Sequence, residues 1–178
     1  NSEAFIQNCV NSFITDVAND GLLFEIFIVD NGSTDGTQEL IASLKESWPE
    51  NVFPIFLDKN FGTTYPRNLA LKKCRGNFIA ILDSDMEIKP GAIKELIQAL
   101  DQDPRIGLVA PRLLYSDGRV QKSTDQFPTI TNKIKRFFWL RNLENRAARE
   151  LNNSTPRQLE EVDYAISATW IVKKEVFD

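Results

Sequence analysis

The feature that most constrains this chain is its regular alternation of short apolar runs with amphipathic helical patterns through residue 110. Phe24 to Val29, Val52 to Leu57, Phe78 to Leu82 and Ile106 to Ala110 read as buried strands. Between them stand helical patterns. Phe5, Ile6, Cys9, Val10, Phe13, Ile14 and Val17 predict a helix over 2–18; Leu40, Ile41 and Leu44 mark a second. Arg67 to Cys74 reads as a third, and Ile93, Leu96, Ile97 and Leu100 as a fourth, opened by Pro90-Gly91. Strand and helix in alternation predict an α/β fold: a mostly parallel sheet with helices on both faces, Rossmann-like in outline. Pro54 places its strand at a sheet edge, because proline cannot donate to a central ladder.

In such sheets ligands bind beyond the carboxyl ends of the strands. Two of the predicted strands end in acid there, Val29 running into Asp30 and Leu82 into Asp83.

After Pro111 the pattern changes. Leu113-Leu114-Tyr115 and Arg119-Val120-Gln121 flank Ser116-Asp117-Gly118 and predict a hairpin. Tyr164 to Val172 reads as a late strand, with Lys173-Lys174-Glu175 opening a further element. Lys133 to Arg149 is rich in Lys, Arg and aromatics. It reads either as a helix pair with aromatics inward and charges outward, or as a peripheral contact with an anionic membrane surface. The whole reads as one domain over 1–178, incomplete at both ends: the first residues are already helical, and Asp178 follows the start of a new element.

Composition narrows the chemistry. Histidine is absent from the 178 residues, so acid–base and metal work falls to carboxylates. A carboxylate-only site suits a hard ion, magnesium or manganese. The net charge of -4 argues against a general nucleic-acid binder. Cys9 and Cys74 both sit in apolar helical patterns and read as buried free thiols in a reducing cytoplasm. No apolar run approaches the roughly 20 residues that span a bilayer, and no signal peptide is visible.

Three segments carry candidate chemistry. In Val29-Asp30-Asn31-Gly32-Ser33-Thr34-Asp35-Gly36-Thr37 a strand end passes through small turn-forming residues into a helix. Asp30 is placed to accept from the imide N–H of a uracil or thymine. Ser33, Thr34 or Asp35 is placed to cap the helix. In Asn60-Phe61-Gly62 and Arg67-Asn68, Gly62 allows a positive φ or close backbone approach, and Arg67 offers a fork of donors to phosphate or ribose. In Ile81-Leu82-Asp83-Ser84-Asp85, two carboxylates lie one residue apart at a strand end, a costly arrangement without a cation. Alternation along an extended strand would turn both to one side.

Together VDNGSTDGT at 29–37, NFGTTYPRN at 60–68 and ILDSD at 81–85 resemble, in order and spacing, the family-2 glycosyltransferases of the GT-A fold. Residues 107–128 and 162–178 are similar to a subgroup that includes bacterial rhamnosyltransferase-like enzymes. The resemblance implies inverting, metal-dependent transfer of a sugar from a nucleoside-diphosphate sugar to a hydroxyl of a glycan or lipid-linked acceptor, in bacterial cell-surface polysaccharide assembly. It implies that Asp30, Asn31, Gly62, Arg67, Asp83 and Ser84 bind the nucleotide. Asp85 would ligate magnesium or manganese directly, with Asp83 beside it. Residues 163–170 would form the floor under the donor sugar. It also implies a further strand ahead of Asn1 and a catalytic base after Asp178, so that no catalytic residue is assigned within the chain. Pro66 stands where the family often has a small residue. The implied place of work is the cytoplasm, at or near the inner face of the membrane.

Three other readings compete. A phosphate-accepting receiver domain has a similar Asp83 loop and Lys89-Pro90-Gly91, but leaves VDNGSTDGT unexplained. A nucleotidyltransferase also binds metal through carboxylates on an α/β sheet. A non-catalytic nucleotide-sugar-binding module would use the same donor site without the base.

Overall fold

The computed structural model describes residues 1–125 and 159–177. They fall into two compact units, Asn1–Val109 with the segment from Ala168 onward, and a second within Ala110–Ser167. The first unit carries helices α1 (Ile6–Asn19), α2 (Thr37–Ser47), α3 (Thr64–Leu71) and α4 (Ala92–Asp101). Its strands are β1 (Ile26–Asn31), β2 (Val52–Leu57), β3 (Phe78–Leu82), β4 (Leu108–Val109) and, returning late in the chain, β9 (Thr169–Lys173).

β1 and β2 pair in parallel, with Ile28 opposite Pro54. Among the described residues β2 pairs only with β1, so Pro54 lies on an edge as its chemistry demands. β9 lies between β3 and β4 and runs antiparallel to both, so β3 and β4 run the same way. Helical and extended periodicities are thus realised as an α/β unit with one antiparallel insertion. Sequence alternation alone carries no sign of strand direction, which is why β9 departs from the expected parallel pattern.

Helix α1 buries two sets of side chains along its length. Ile6, Val10 and Ile14 join Ile28, Ile41, Leu44 and Val52 in one core, against α2, β1 and β2. Val17 joins Ile93, Leu100, Val109 and Ile171 in another, against α4, β4 and β9. Phe13 and Phe24 touch both cores and meet edge to face at 6.2 Å between ring centroids.

Helix α3 begins at Thr64, earlier than the Arg67 expected from the pattern. Pro66 falls in its first turn, where backbone N–H groups have no helical partner to lose, so the ring is accommodated without a break. Gly91, at φ +80, is the N-cap of α4.

In the second unit β5 (Leu113–Leu114) and β6 (Val120–Gln121) form the expected hairpin, with Gly118 at φ +82 in its turn. β7 (Thr124–Asp125) pairs with β8 (Tyr164–Ala165). The single late strand expected over 164–172 is therefore two strands, interrupted at Ile166–Ala168, and Lys174–Val176 forms a 3-10 turn. Residues 133–149 lie outside the described residues, so neither reading of that basic aromatic segment is addressed. Among the described residues no helix is long and apolar enough to cross a membrane.

Candidate nucleotide-sugar site

Every residue of β1 and of β3 lines one cavity of about 800 Å³. Consecutive residues on both strands can line it only if the strands turn their backbone edges toward it, since side chains alternate between faces. Those edges have no partner strand among the described residues. At the carboxyl ends of the strands the lining becomes polar: Asp30, Asn31, Gly62, Arg67, Asp83 and Ser84 all belong to it. The six residues expected to bind a nucleotide are thus brought together around one cavity. Asp85 does not line it and is exposed.

Asp30 is 3% exposed. Its Oδ2 accepts from the Ser33 N–H at 3.1 Å and from Gln38 Nε2 at 2.7 Å. Among the described residues no donor reaches Oδ1, so the carboxylate is fixed in orientation with one oxygen left to accept.

Asn31 spends its amide on the neighbouring loop. Nδ2 donates to Asn60 Oδ1 at 3.0 Å and to the Gly62 carbonyl at 2.9 Å, while Oδ1 accepts from the Phe61 N–H at 2.9 Å. Gly62 takes φ +75, the conformation anticipated for it. Phe61 and Tyr65, both exposed, lie 5.1 Å apart between ring centroids beside this loop.

Helix α2 has Gly36 as its N-cap, a position without a side chain to offer. Of the three expected caps, Asp35 serves the helix. Its Oδ1 accepts from Thr37 N at 3.3 Å and Thr37 Oγ1 at 2.5 Å. Those bonds, led by the Thr37 hydroxyl, hold its carboxyl below the usual range. The Glu3 carboxylate takes the Gly36 N–H at 3.1 Å.

The acidic segment departs from its expected geometry. β3 ends at Leu82, and Asp83 to Met86 form a turn closed by the Met86 N–H on the Asp83 carbonyl at 3.2 Å. Asp83 and Asp85 therefore do not alternate along one strand. The ladder ends at Leu82 and Thr169, and the Asp83 N–H takes the Ala168 carbonyl at 2.9 Å just outside β9 before the chain turns. Arg67 Nη2 donates to Asp83 Oδ1 at 2.8 Å, with the two side chains 29% and 44% exposed. Ser84 Oγ lies 2.8 Å from Ser2 Oγ.

Several partners gave no sequence signal of their own. Gln38 and Ser2 are polar residues in ordinary helix or loop contexts, and only the fold brings them against Asp30 and Ser84; Asn60 stands in a candidate segment, but its bond to Asn31 is visible only in the fold. Thr169 Oγ1 and Trp170 Nε1 are buried without a partner among the described residues. Thr169 stands opposite Leu82 in the ladder, one step from Asp83.

Cys9 and Cys74 are both free, as expected, Cys9 buried and Cys74 half-buried. Burial pushes the Cys9 thiol up to about 11.

Comparison with known proteins agrees with this geometry. The sequence profile described as glycosyl transferase family 2 matches residues 1–161. The chain is 30% identical over 134 residues to an uncharacterized glycosyltransferase of Nostoc sp., covering 75% of this chain and 40% of that protein. It is 30% identical over 121 residues to a teichoic acid poly(glycerol phosphate) polymerase of Staphylococcus epidermidis, covering 68% of this chain and 16% of that protein. An N-acetylglucosaminyl-diphospho-decaprenol L-rhamnosyltransferase of Mycobacterium tuberculosis is 28% identical over 130 residues, covering 66% of this chain and 42% of that protein. The chain thus spans less than half the length of each of these relatives. With a family match over most of its length and an α/β unit that gathers the motif residues around one cavity, the chain belongs to glycosyl transferase family 2 and has its GT-A fold.

Proposed function

We propose that this chain binds the donor of a sugar transfer from a nucleoside-diphosphate sugar to a hydroxyl of a glycan or lipid-linked acceptor. The observation that carries the reading is the convergence of Asp30, Arg67 and Asp83 on the rim of one cavity, at the carboxyl ends of β1 and β3. Asp30, held by Ser33 and Gln38, presents its other oxygen to the base. Arg67, braced on Asp83, brings to the rim a planar guanidinium of the kind that suits ribose or diphosphate oxygens. The edges of β1 and β3 that have no partner strand among the described residues suit pairing with one further extended segment, which would complete the sheet behind the base.

A divalent ion fits the donor set. Among the described residues no group of three or more metal-ligating side chains exists. Asp85 with Asp83 supplies two carboxylates, and magnesium in such sites keeps waters and phosphate oxygens in its remaining positions. Bound there, the ion would neutralise charge on the departing diphosphate. The chain's own contribution is orientation: Arg67 fixes Asp83, and the Asp83–Met86 turn presents Asp85 to solvent. Displacement at the anomeric carbon with inversion needs no covalent intermediate on the protein.

Family membership argues against the receiver and nucleotidyltransferase readings. The rhamnosyltransferase relative is named for a decaprenol-linked acceptor, and the polymerase for teichoic acid. The first of these names favours a lipid-linked acceptor.

The experiment is thermal unfolding with uridine or thymidine diphosphate, with and without manganese. At a ligand concentration about 100-fold above Kd the stabilisation is about 2.7 kcal/mol. Asp85→Ala is expected to remove the manganese-dependent part and keep a weaker nucleotide response. No stabilisation of the folded protein by any nucleoside diphosphate overturns the proposal.

A further inference from the structure

Beside the apolar face of helix α1 runs a line of side chains that bond to the segment following β3. Cys9, Ser12 and Asp16 recur at steps of three and four residues and so share one face. Their partners follow in order along the segment from Asp83 to Ile93. The Cys9 thiol lies 3.6 Å from the Asp83 carbonyl, as a weak donor. Ser12 Oγ accepts from the Ile88 N–H at 3.0 Å and itself donates to the Cys9 carbonyl at 2.9 Å. Asp16 accepts from the Gly91 N–H through Oδ1 and from the Ile93 N–H at 3.0 Å through Oδ2. The near end of the loop is fixed by the Asp83 N–H on the Ala168 carbonyl.

Asp16 is 3% exposed, an expensive place for a carboxylate. It is compensated by two backbone N–H groups at the start of α4, that of the N-cap Gly91 itself and that of Ile93, which a capping side chain would serve had Gly91 one. The helix start is thus held from another helix. The chain between Met86 and Gly91 has no strand pairing of its own, so the Ser12 and Asp16 anchors set where it runs. Asp85 sits just ahead of it and has no hydrogen bond or ion pair to another described residue that would fix it.

We infer that Asp16 is a positioning residue for Asp85: by clamping the far end of the acidic loop, it holds Asp85 where a divalent cation and a diphosphate meet. This rests on the reading of Asp83 and Asp85 as the diphosphate end of the site. Asp16 does not line the cavity, and its effect is confined to that end, because Asp30 is held by Ser33 and Gln38.

The test measures binding of uridine and thymidine diphosphates in manganese, and of uridine and thymidine alone, to wild-type, Asp16→Asn and Ser12→Ala proteins. Asp16→Asn keeps the shape but turns one acceptor into a donor facing an N–H. It is expected to weaken manganese-dependent diphosphate binding roughly 10-fold or more, the scale seen when a residue behind a metal ligand is changed. Binding of the nucleoside alone should be unchanged. Ser12→Ala is expected to act in the same selective direction by a smaller factor. Hydrogen exchange at Ile88, Gly91 and Ile93 should quicken in Asp16→Asn while the β1 and β2 amides keep their protection. Equal loss of nucleoside and nucleoside diphosphate, or failure of Asp16→Asn to fold, makes Asp16 a structural cap only and overturns the inference. So does wild-type diphosphate affinity in a folded Asp16→Asn protein. Absence of manganese-dependent binding in wild type is a different result: it removes the underlying reading, and the inference with it.

Discussion

Asn31 Nδ2 donates to Asn60 Oδ1 at 3.0 Å, joining the end of β1 to the loop after β2. The same amide group also reaches the Gly62 carbonyl, and its oxygen takes the Phe61 N–H. Asn31 therefore shapes the loop that carries Gly62. Asn31→Ala removes all three bonds. The residue is only half-buried and water can replace part of the loss, so the expected cost is about 1–2 kcal/mol, from roughly 0.5–1.5 per hydrogen bond. Urea unfolding measures it. Nucleotide affinity should also fall, because Phe61 and Gly62 lose their anchor; unchanged affinity would show that the loop takes no part in binding.

Gly32 explains why the two loops can approach so closely. Its φ is +78, and a Cβ placed there would stand 2.6 Å from Lys59 Cα, a backbone atom that cannot swing away. Gly118 has the similar φ of +82 with nothing within 4 Å of a would-be Cβ. Alanine at Gly118 should cost about 1–2 kcal/mol, the backbone term alone. Alanine at Gly32 should cost more by about 1–3 kcal/mol of overpacking strain. Chemical denaturation of the two variants separates the terms, and equal costs would mean the loops part freely.

The elements that periodicity governs were legible in advance. α1, α2 and α4 follow their apolar spacing, and β1 to β4 form from the apolar runs, because each buries a stripe that only one local conformation can present. Pro54 was readable as an edge for a purely local reason, the missing N–H. Strand direction was not readable: β9 inserts antiparallel between β3 and β4, a pairing settled by tertiary contacts remote in sequence. The site divides in the same way. Asp30, Gly62, Arg67 and Asp83 stood out because strand ends and turns confine them. Asp16 and Gln38 looked like ordinary helix-surface polar residues, and only the packing of α1 and α2 shows what they hold. The alternation argument for Asp83 and Asp85 failed because the chain turns at Asp83, where the partner strand ends.

The two thiols should react very differently with alkylating agents. Cys9 is 5% exposed, and burial has raised its thiol to about 11, with the nearby Asp85 and Asp83 charges adding to the rise. At pH 8 roughly 1 in 1,000 of such thiols is ionised, and the thiolate is the nucleophile. Cys74 is half-buried and is raised too, by burial and then by Glu25, but its sulfur is easier to reach. Iodoacetamide followed by peptide mass analysis should label Cys74 first, with Cys9 protected until the protein unfolds. Rapid labelling of Cys9 in the folded state would show that α1 leaves its place beside Asp83 readily.

Glu25 links the entry to β1 with the entry to β3. Its Oε1 accepts from the Arg75 N–H at 2.5 Å and its Oε2 from Arg75 Nε at 2.9 Å. Burial alone would raise the Glu25 carboxyl, but the hydrogen bonds and charge of Arg75 outweigh it, and the net shift is downward from 4.5. A carboxylate with a depressed folded-state value stabilises fully above the unfolded value and loses that contribution as pH falls through the folded one. The link should therefore hold at neutral pH and release below about pH 4.5. Arg75 is largely exposed, so solvent screens the pair, and its worth lies near the low end of surface ion pairs, under about 1 kcal/mol. Glu25→Gln should lower stability slightly at pH 7, and the difference should vanish as pH falls through the depressed folded-state value and wild-type Glu25 becomes protonated. Urea midpoints for both proteins across that range test it. A constant difference between them at all pH values would assign the effect to lost packing rather than to the carboxylate's charge.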